Sequence, residues 1–77
     1  MTKAEFSQEK GSLTVYLSGE IDHHGAAAIR YDIDNRILRA MPKVVIMDFN
    51  SVTFMDSSGV GLVLARCRTC RDCGASL

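Results

Sequence analysis

Leu13, Val15 and Leu17 alternate with Thr14, Tyr16 and Ser18, the period of two that a strand shows when one face is buried. The stretch before it, Ala4 to Gln8, is extended in character, and Glu9-Lys10-Gly11-Ser12 supplies turn residues between the two. An opening hairpin is predicted. After Ser18-Gly19-Glu20-Ile21-Asp22 the period lengthens: Ala26, Ile29, Ile33, Ile37 and Ala40 recur every three or four residues, while Arg30, Asp34, Asn35, Arg36 and Arg39 fall elsewhere. That spacing predicts an amphipathic helix. Asp22 suits its N-cap, because a short carboxylate accepts hydrogen bonds from the first free backbone N–H groups. Pro42 closes the helix, since proline lacks an N–H and restricts the residue before it.

Val44-Val45-Ile46-Met47 is apolar without alternation and β-branched, which predicts a strand covered on both faces, with Asp48, Asn50 and Ser51 marking a loop after it. From Ser57 onward Val60, Val63, Leu64, Cys67 and Arg71 follow the helical period toward Gly74, a suitable C-cap. Ala75-Ser76-Leu77 reads as the start of a further short strand. The order is β-β-α-β-α, and the helix between the second and third strands calls for a right-handed crossover. The fold class is therefore α/β, a mixed β-sheet with helices packed on it.

Length and charge narrow what such a fold can do. The chain has 77 residues, 47% of them hydrophobic and 23% charged, which fits one globular domain with a marginal core. Nine Lys and Arg balance nine Asp and Glu, so the electrostatic footprint of a nucleic-acid or anionic-lipid binder is missing. The apolar runs are too short to cross a bilayer, and Met1-Thr2-Lys3-Ala4-Glu5 lacks the profile of a signal peptide. Cytoplasmic placement is expected. Three cysteines within seven residues do not make a secreted disulfide framework and fit the same reducing compartment.

The densest chemistry lies at Asp56-Ser57-Ser58-Gly59, where the second helix begins. Ser and Asp lead the N-cap ranking, so capping alone accounts for these residue types. The same free N–H groups and positive dipole end also favour a phosphate at this position. A phosphoserine would be tolerated by its own helix, and its charge beside Asp56 would repel or desolvate a partner docking on this end.

Two segments carry a family resemblance. Leu17-Ser18-Gly19-Glu20-Ile21-Asp22-His23-His24 and Phe54-Met55-Asp56-Ser57-Ser58-Gly59-Val60-Gly61-Leu62, separated by one helix and one apolar strand, resemble the two signatures of the STAS family. More narrowly, they resemble the sporulation-type anti-sigma factor antagonists. The resemblance covers about residues 10 to 77, and its second segment is the specific one. It implies a non-enzymatic protein that binds an anti-sigma factor, itself a serine kinase, and so frees a sigma factor. It further implies phosphorylation of Ser57 by that kinase and its reversal by a PP2C-type phosphatase. Asp22, Asp56, Ser57, Ser58 and Gly59 would form the partner-binding end. The family domain continues through at least one more strand-helix unit, so residues 1–77 are expected to be a single domain lacking that portion. An apolar Val44 to Met47 edge left unpaired would then promote homo-oligomers through shared or swapped strands.

Other readings remain open. A STAS module of a sensory, scaffold or transporter-associated system need not be phosphorylated. A thiol-based redox or metal protein would use Cys67-x-x-Cys70-x-x-Cys73, but an iron–sulfur cluster takes four thiolates. On a helix these three diverge, with Cys67 expected on the apolar stripe, Cys70 at its edge and Cys73 toward solvent. His23-His24 has no third ligand in view, since neighbouring helical residues point apart. No cofactor or metal is expected. Catalysis is disfavoured because Ser57 has no base beside it and Gly59-Val60-Gly61 lacks the lysine and spacing of a nucleotide loop.

Overall fold

A computed structural model describes residues 1–77. Strand β1 (Lys3–Glu9) and strand β2 (Ser12–Ile21) form the predicted hairpin, followed by helix α1 (His23–Ala40), strand β3 (Val44–Met55) and helix α2 (Ser57–Cys73). The sheet order is β1-β2-β3, with β1 antiparallel and β3 parallel to β2. Lys10 and Gly11 make the hairpin turn, and Gly11 takes the positive φ of 77° that a side chain would disfavour.

The alternation read along β2 is the backbone of the core. Leu13, Val15, Leu17 and Ile21 are buried and meet Ala26, Ile29, Ile33 and Ile37 of α1, with Val45, Leu62 and Cys70 completing the cluster. Burying one such isoleucine or leucine contributes on the order of 1.5–3 kcal/mol, so the isoleucine stripe of α1 is the main fastening of helix to sheet. Arg36 extends this face by lying over the Phe6 ring of β1, 4.3 Å from its centroid. Helix α1 ends as Met41 turns left-handed at φ 46° and donates its N–H to the Ile37 carbonyl, immediately before Pro42.

Strand β3 departs from expectation in two ways. It runs on through Asp48, Asn50 and Ser51 to Met55, where a loop was expected. Two register shifts against β2 each leave an extra residue on β3, and the Asp48 carboxylate accepts the Asn50 N–H at 2.8 Å inside the strand. Bulges of this kind absorb polar residues without ending the pairing. Nor is β3 covered on both faces, for Val44 and Ile46 are exposed while Val45 is buried. Only its first residues alternate, Val45 inward between exposed Val44 and Ile46, before the bulged stretch that follows.

Helix α2 is rotated relative to its expected phase. Its buried positions are Gly59, Leu62, Arg66 and Cys70, whereas Val60 and Leu64, expected inside, are 51% and 64% exposed. The helix is apolar on more than one side, and an arginine buries because Asp34 of α1 receives it. The cysteines shift accordingly: Cys70 is buried, and Cys67 and Cys73 are each partly covered. After Gly74, left-handed at φ 76°, Ser76 makes a single isolated parallel bridge to Val44, where the final residues suggested the start of a further strand; no fourth strand forms. Beyond that bridge the outer edge of β3 has no partner strand.

The first two residues cross over the sheet's end. A Cβ on Gly19 would collide with the Met1 backbone and one on Gly25 with the Thr2 side chain, and the Thr2 hydroxyl donates to the Glu20 carbonyl.

Candidate functional site

Parallel pairing brings the two signature segments together. Ile21 at the end of β2 lies beside Met55 at the end of β3, and the Asp56 N–H donates to the Ile21 carbonyl at 3.3 Å. The residues that follow, Asp22 and Asp56, therefore occupy equivalent places, each capping the helix that starts next. Asp22 Oδ1 accepts the Gly25 N–H at 2.8 Å, and Asp56 Oδ1 accepts the Ser58 N–H at 2.8 Å. Two helix amino termini, with their free N–H groups and positive dipole ends, thus stand side by side at one end of the sheet.

The cap hydrogen bond from Gly25 holds the Asp22 carboxyl below the usual carboxylate value, against a smaller opposing effect of burial and with help from the His24 imidazole. Both caps use the aspartate rather than a serine. That leaves Ser57, the first residue of α2, exposed with its hydroxyl making no hydrogen bond within the chain, while Ser58 is partly covered. Gly59 is buried because the Met55 side chain lies across it, where a Cβ would collide with Met55. All five residues singled out in the sequence, Asp22, Asp56, Ser57, Ser58 and Gly59, come to this one end.

Behind it runs a groove of 210 Å³ between the amino-terminal halves of α1 and α2. His23, Arg30, Ser58 and Arg66 border it, with buried Ala26 and Leu62 beneath and exposed Ala27 and Gly61 at its edge. The basic residues were not identified from the sequence. The usable signal was the spacing of Arg66 with Gly59, Leu62 and Cys70, which puts an arginine on a buried face and requires an acid opposite. Arg66 Nε stands 2.8 Å from Asp34 Oδ1, and Thr69 donates to the same oxygen at 3.2 Å.

All three cysteines carry free thiols. Burial pushes the Cys70 thiol pKa up, and the neighbouring Cys67 and Cys73 and the Asp34 carboxylate add to this against the opposing pull of Arg66. No three His, Cys, Asp or Glu side chains converge as a metal-holding group; His23 and His24 meet edge to face, 5.7 Å between ring centroids. No helix is long and apolar enough to cross a membrane.

Comparison with known proteins agrees with this geometry. The STAS domain family matches residues 3–77. The anti-sigma F factor antagonist of Paenibacillus polymyxa is 34% identical over 73 residues, which make up 95% of this chain and 62% of that protein. The chain thus spans less than two thirds of that relative's length. Among solved structures, the anti-sigma factor antagonist SpoIIAA in its unphosphorylated form superposes with a TM-score of 0.76 at 34% identity, covering 99% of this chain and 69% of the other. The Bacillus cell fate determinant SpoIIAA in the phosphorylated form gives a TM-score of 0.75 at 34% identity, with 99% and 68% covered. With the β-β-α-β-α order, the paired strand ends and the match over residues 3–77 in agreement, this chain belongs to the STAS domain family.

Proposed function

We propose that this chain acts as an anti-sigma factor antagonist: it binds a serine-kinase anti-sigma factor, frees the sigma factor, and is switched off by phosphorylation of Ser57. The observation that carries this reading is the division of labour at the start of α2. Asp56 makes the cap, so the exposed Ser57 hydroxyl is left free to accept a phosphoryl group. Two named similarities support it, the Paenibacillus polymyxa antagonist and SpoIIAA, the latter solved in both unphosphorylated and phosphorylated forms.

In the modification step the Ser57 oxygen attacks the γ-phosphorus of ATP, the bond to the β-phosphate oxygen breaks, ADP departs, and the hydroxyl proton is released. The product carries about two added negative charges at pH 7. They sit where two helix dipoles favour an anion, so the fold tolerates them. They also lie next to the Asp56 carboxylate on the outer surface, so an acidic or apolar partner surface is repelled or left desolvated. Asp22, Ser58 and Gly59 shape the same docking end, and a PP2C-type phosphatase restores the free hydroxyl.

The test is incubation with ATP and the cognate serine-kinase anti-sigma factor, followed by peptide mapping. Phosphate on Ser57, with loss of kinase binding by the phosphorylated chain, is expected. Phosphate on Ser58, or undiminished binding after modification, refutes the proposal.

A further inference from the structure

Arg66 is the least conventional residue in the protein. It is 6% exposed, yet its Nε makes no directed hydrogen bond. Asp34 balances its charge at 2.8 Å, but the N–H is turned away from the carboxylate oxygen. A guanidinium offers five donors in a planar fork suited to carboxylate and phosphate, and buried donors are rarely left unused. Arg66 borders the groove between α1 and α2.

The opposite wall supplies a second guanidinium. Arg30 lies over the neighbouring Tyr31 ring, 4.7 Å from its centroid, and donates to the Tyr31 hydroxyl at 3.0 Å, which holds it at the groove's rim. His23 and the Ser58 hydroxyl complete the polar lining, with buried Ala26 and Leu62 beneath and exposed Ala27 and Gly61 at the edge. Two arginines against the one Asp34 carboxylate leave this groove electropositive. Ser57, although adjacent in sequence to Ser58, does not line it.

We infer that this groove binds a small phosphate-class oxyanion, held between Arg66 and Arg30 with Ser58 donating to it. The groove's 210 Å³ is below the roughly 300–1,000 Å³ of sites that enclose drug-sized ligands. It suits inorganic phosphate or a phosphoryl group on a short carbon chain and is too small to enclose a nucleotide. The anion gives the edge of the Arg66 guanidinium that borders the groove an acceptor, while the buried Nε stays against Asp34, and it joins the two helices through one shared ligand.

The experiment titrates sodium phosphate into the ¹⁵N-labelled 77-residue chain at pH 7, with sodium chloride at matched ionic strength as control. Saturable amide shifts confined to His23, Ala27, Ser58, Gly61 and their neighbours are expected. Arg30→Gln removes one exposed donor, and Gly61→Glu places a carboxylate where a Cβ meets nothing within 4 Å. Each is expected to weaken the apparent Kd at least fivefold, with an otherwise unchanged spectrum and melting temperature. Shifts that fail to saturate, that chloride reproduces, or that survive both substitutions overturn the inference. Arg66 itself is left unaltered because its packing also supports the fold.

Discussion

The Arg66–Asp34 pair joins the two helices, and its energetics can be separated by comparing unlike substitutions. At 2.8 Å and an effective dielectric of about 20, the gross attraction is about 6 kcal/mol. Desolvation takes back several kcal/mol per buried ion. The Arg66 side chain is 7% exposed and that of Asp34 27%, so the arginine bears most of that cost. Asp34→Ala leaves a charge in the core without its counterion. Breaking a fully buried pair costs about 3–5 kcal/mol; the partial exposure of Asp34 brings the expected loss to about 2 kcal/mol. Arg66→Met removes the charge while retaining much of the packed volume, and Asp34 is left with water and Thr69. A loss below about 1 kcal/mol is expected there. In a domain of this size about 2 kcal/mol corresponds to roughly 10 °C in Tm. Urea unfolding of the two single variants and the double variant closes the cycle. Near-neutral Asp34→Ala, or Arg66→Met as costly as Asp34→Ala, would show that the pair acts through packing alone and refute the reasoning.

Helix phase, capping and thiol burial can each be checked in the same way. Leu62→Ala should cost about 2–5 kcal/mol and Leu64→Ala less than about 0.5 kcal/mol in chemical denaturation; the reverse ranking would restore the helix phase expected from sequence. Asp22→Ala should lower Tm at pH 7. Because the folded Asp22 pKa is depressed, its carboxylate contributes stability above the ordinary value of about 3.9 and loses it as pH falls through the folded value, so the gap from wild type should narrow below about pH 4. A constant gap down to pH 2 contradicts this. Cys70, buried and with its thiol pKa raised, should react with iodoacetamide at least about tenfold more slowly than Cys67 and Cys73; mass mapping of the native protein that finds Cys70 modified first disproves the assignment.

What could be read from sequence depended on how cleanly each element separated apolar from polar positions. Ile29, Ile33 and Ile37 lie on one stripe with charges elsewhere, and α1 formed with that face inward. In α2, Val60, Leu62, Val63 and Leu64 crowd a single turn, so periodicity allowed more than one phase. The deciding residue was Arg66, which hydropathy places outside and Asp34 draws inside. For β3 the polar run Asp48, Asn50 and Ser51 imitated a loop, because bulges are pairing irregularities that leave no simple mark on hydropathy. The capping aspartates were legible because capping is local. The groove was not, since His23, Arg30 and Arg66 meet only once α1 and α2 have packed.

The crossing of Met1 and Thr2 over Gly19 and Gly25 has an evolutionary corollary. Neither glycine is set by the hydrophobic core; the first two residues run over both and leave no room for a side chain. A relative whose first residues take another path loses the Thr2 clash at Gly25, which has an ordinary helical backbone, and keeps only the tight 3.1 Å approach of a Cβ to the Glu20 carbonyl. At Gly19 the positive φ of 81° still disfavours a side chain. In an alignment of STAS domains, side chains at the Gly25 position should therefore covary with the length and course of the amino-terminal segment, while the Gly19 position stays glycine or turns to asparagine.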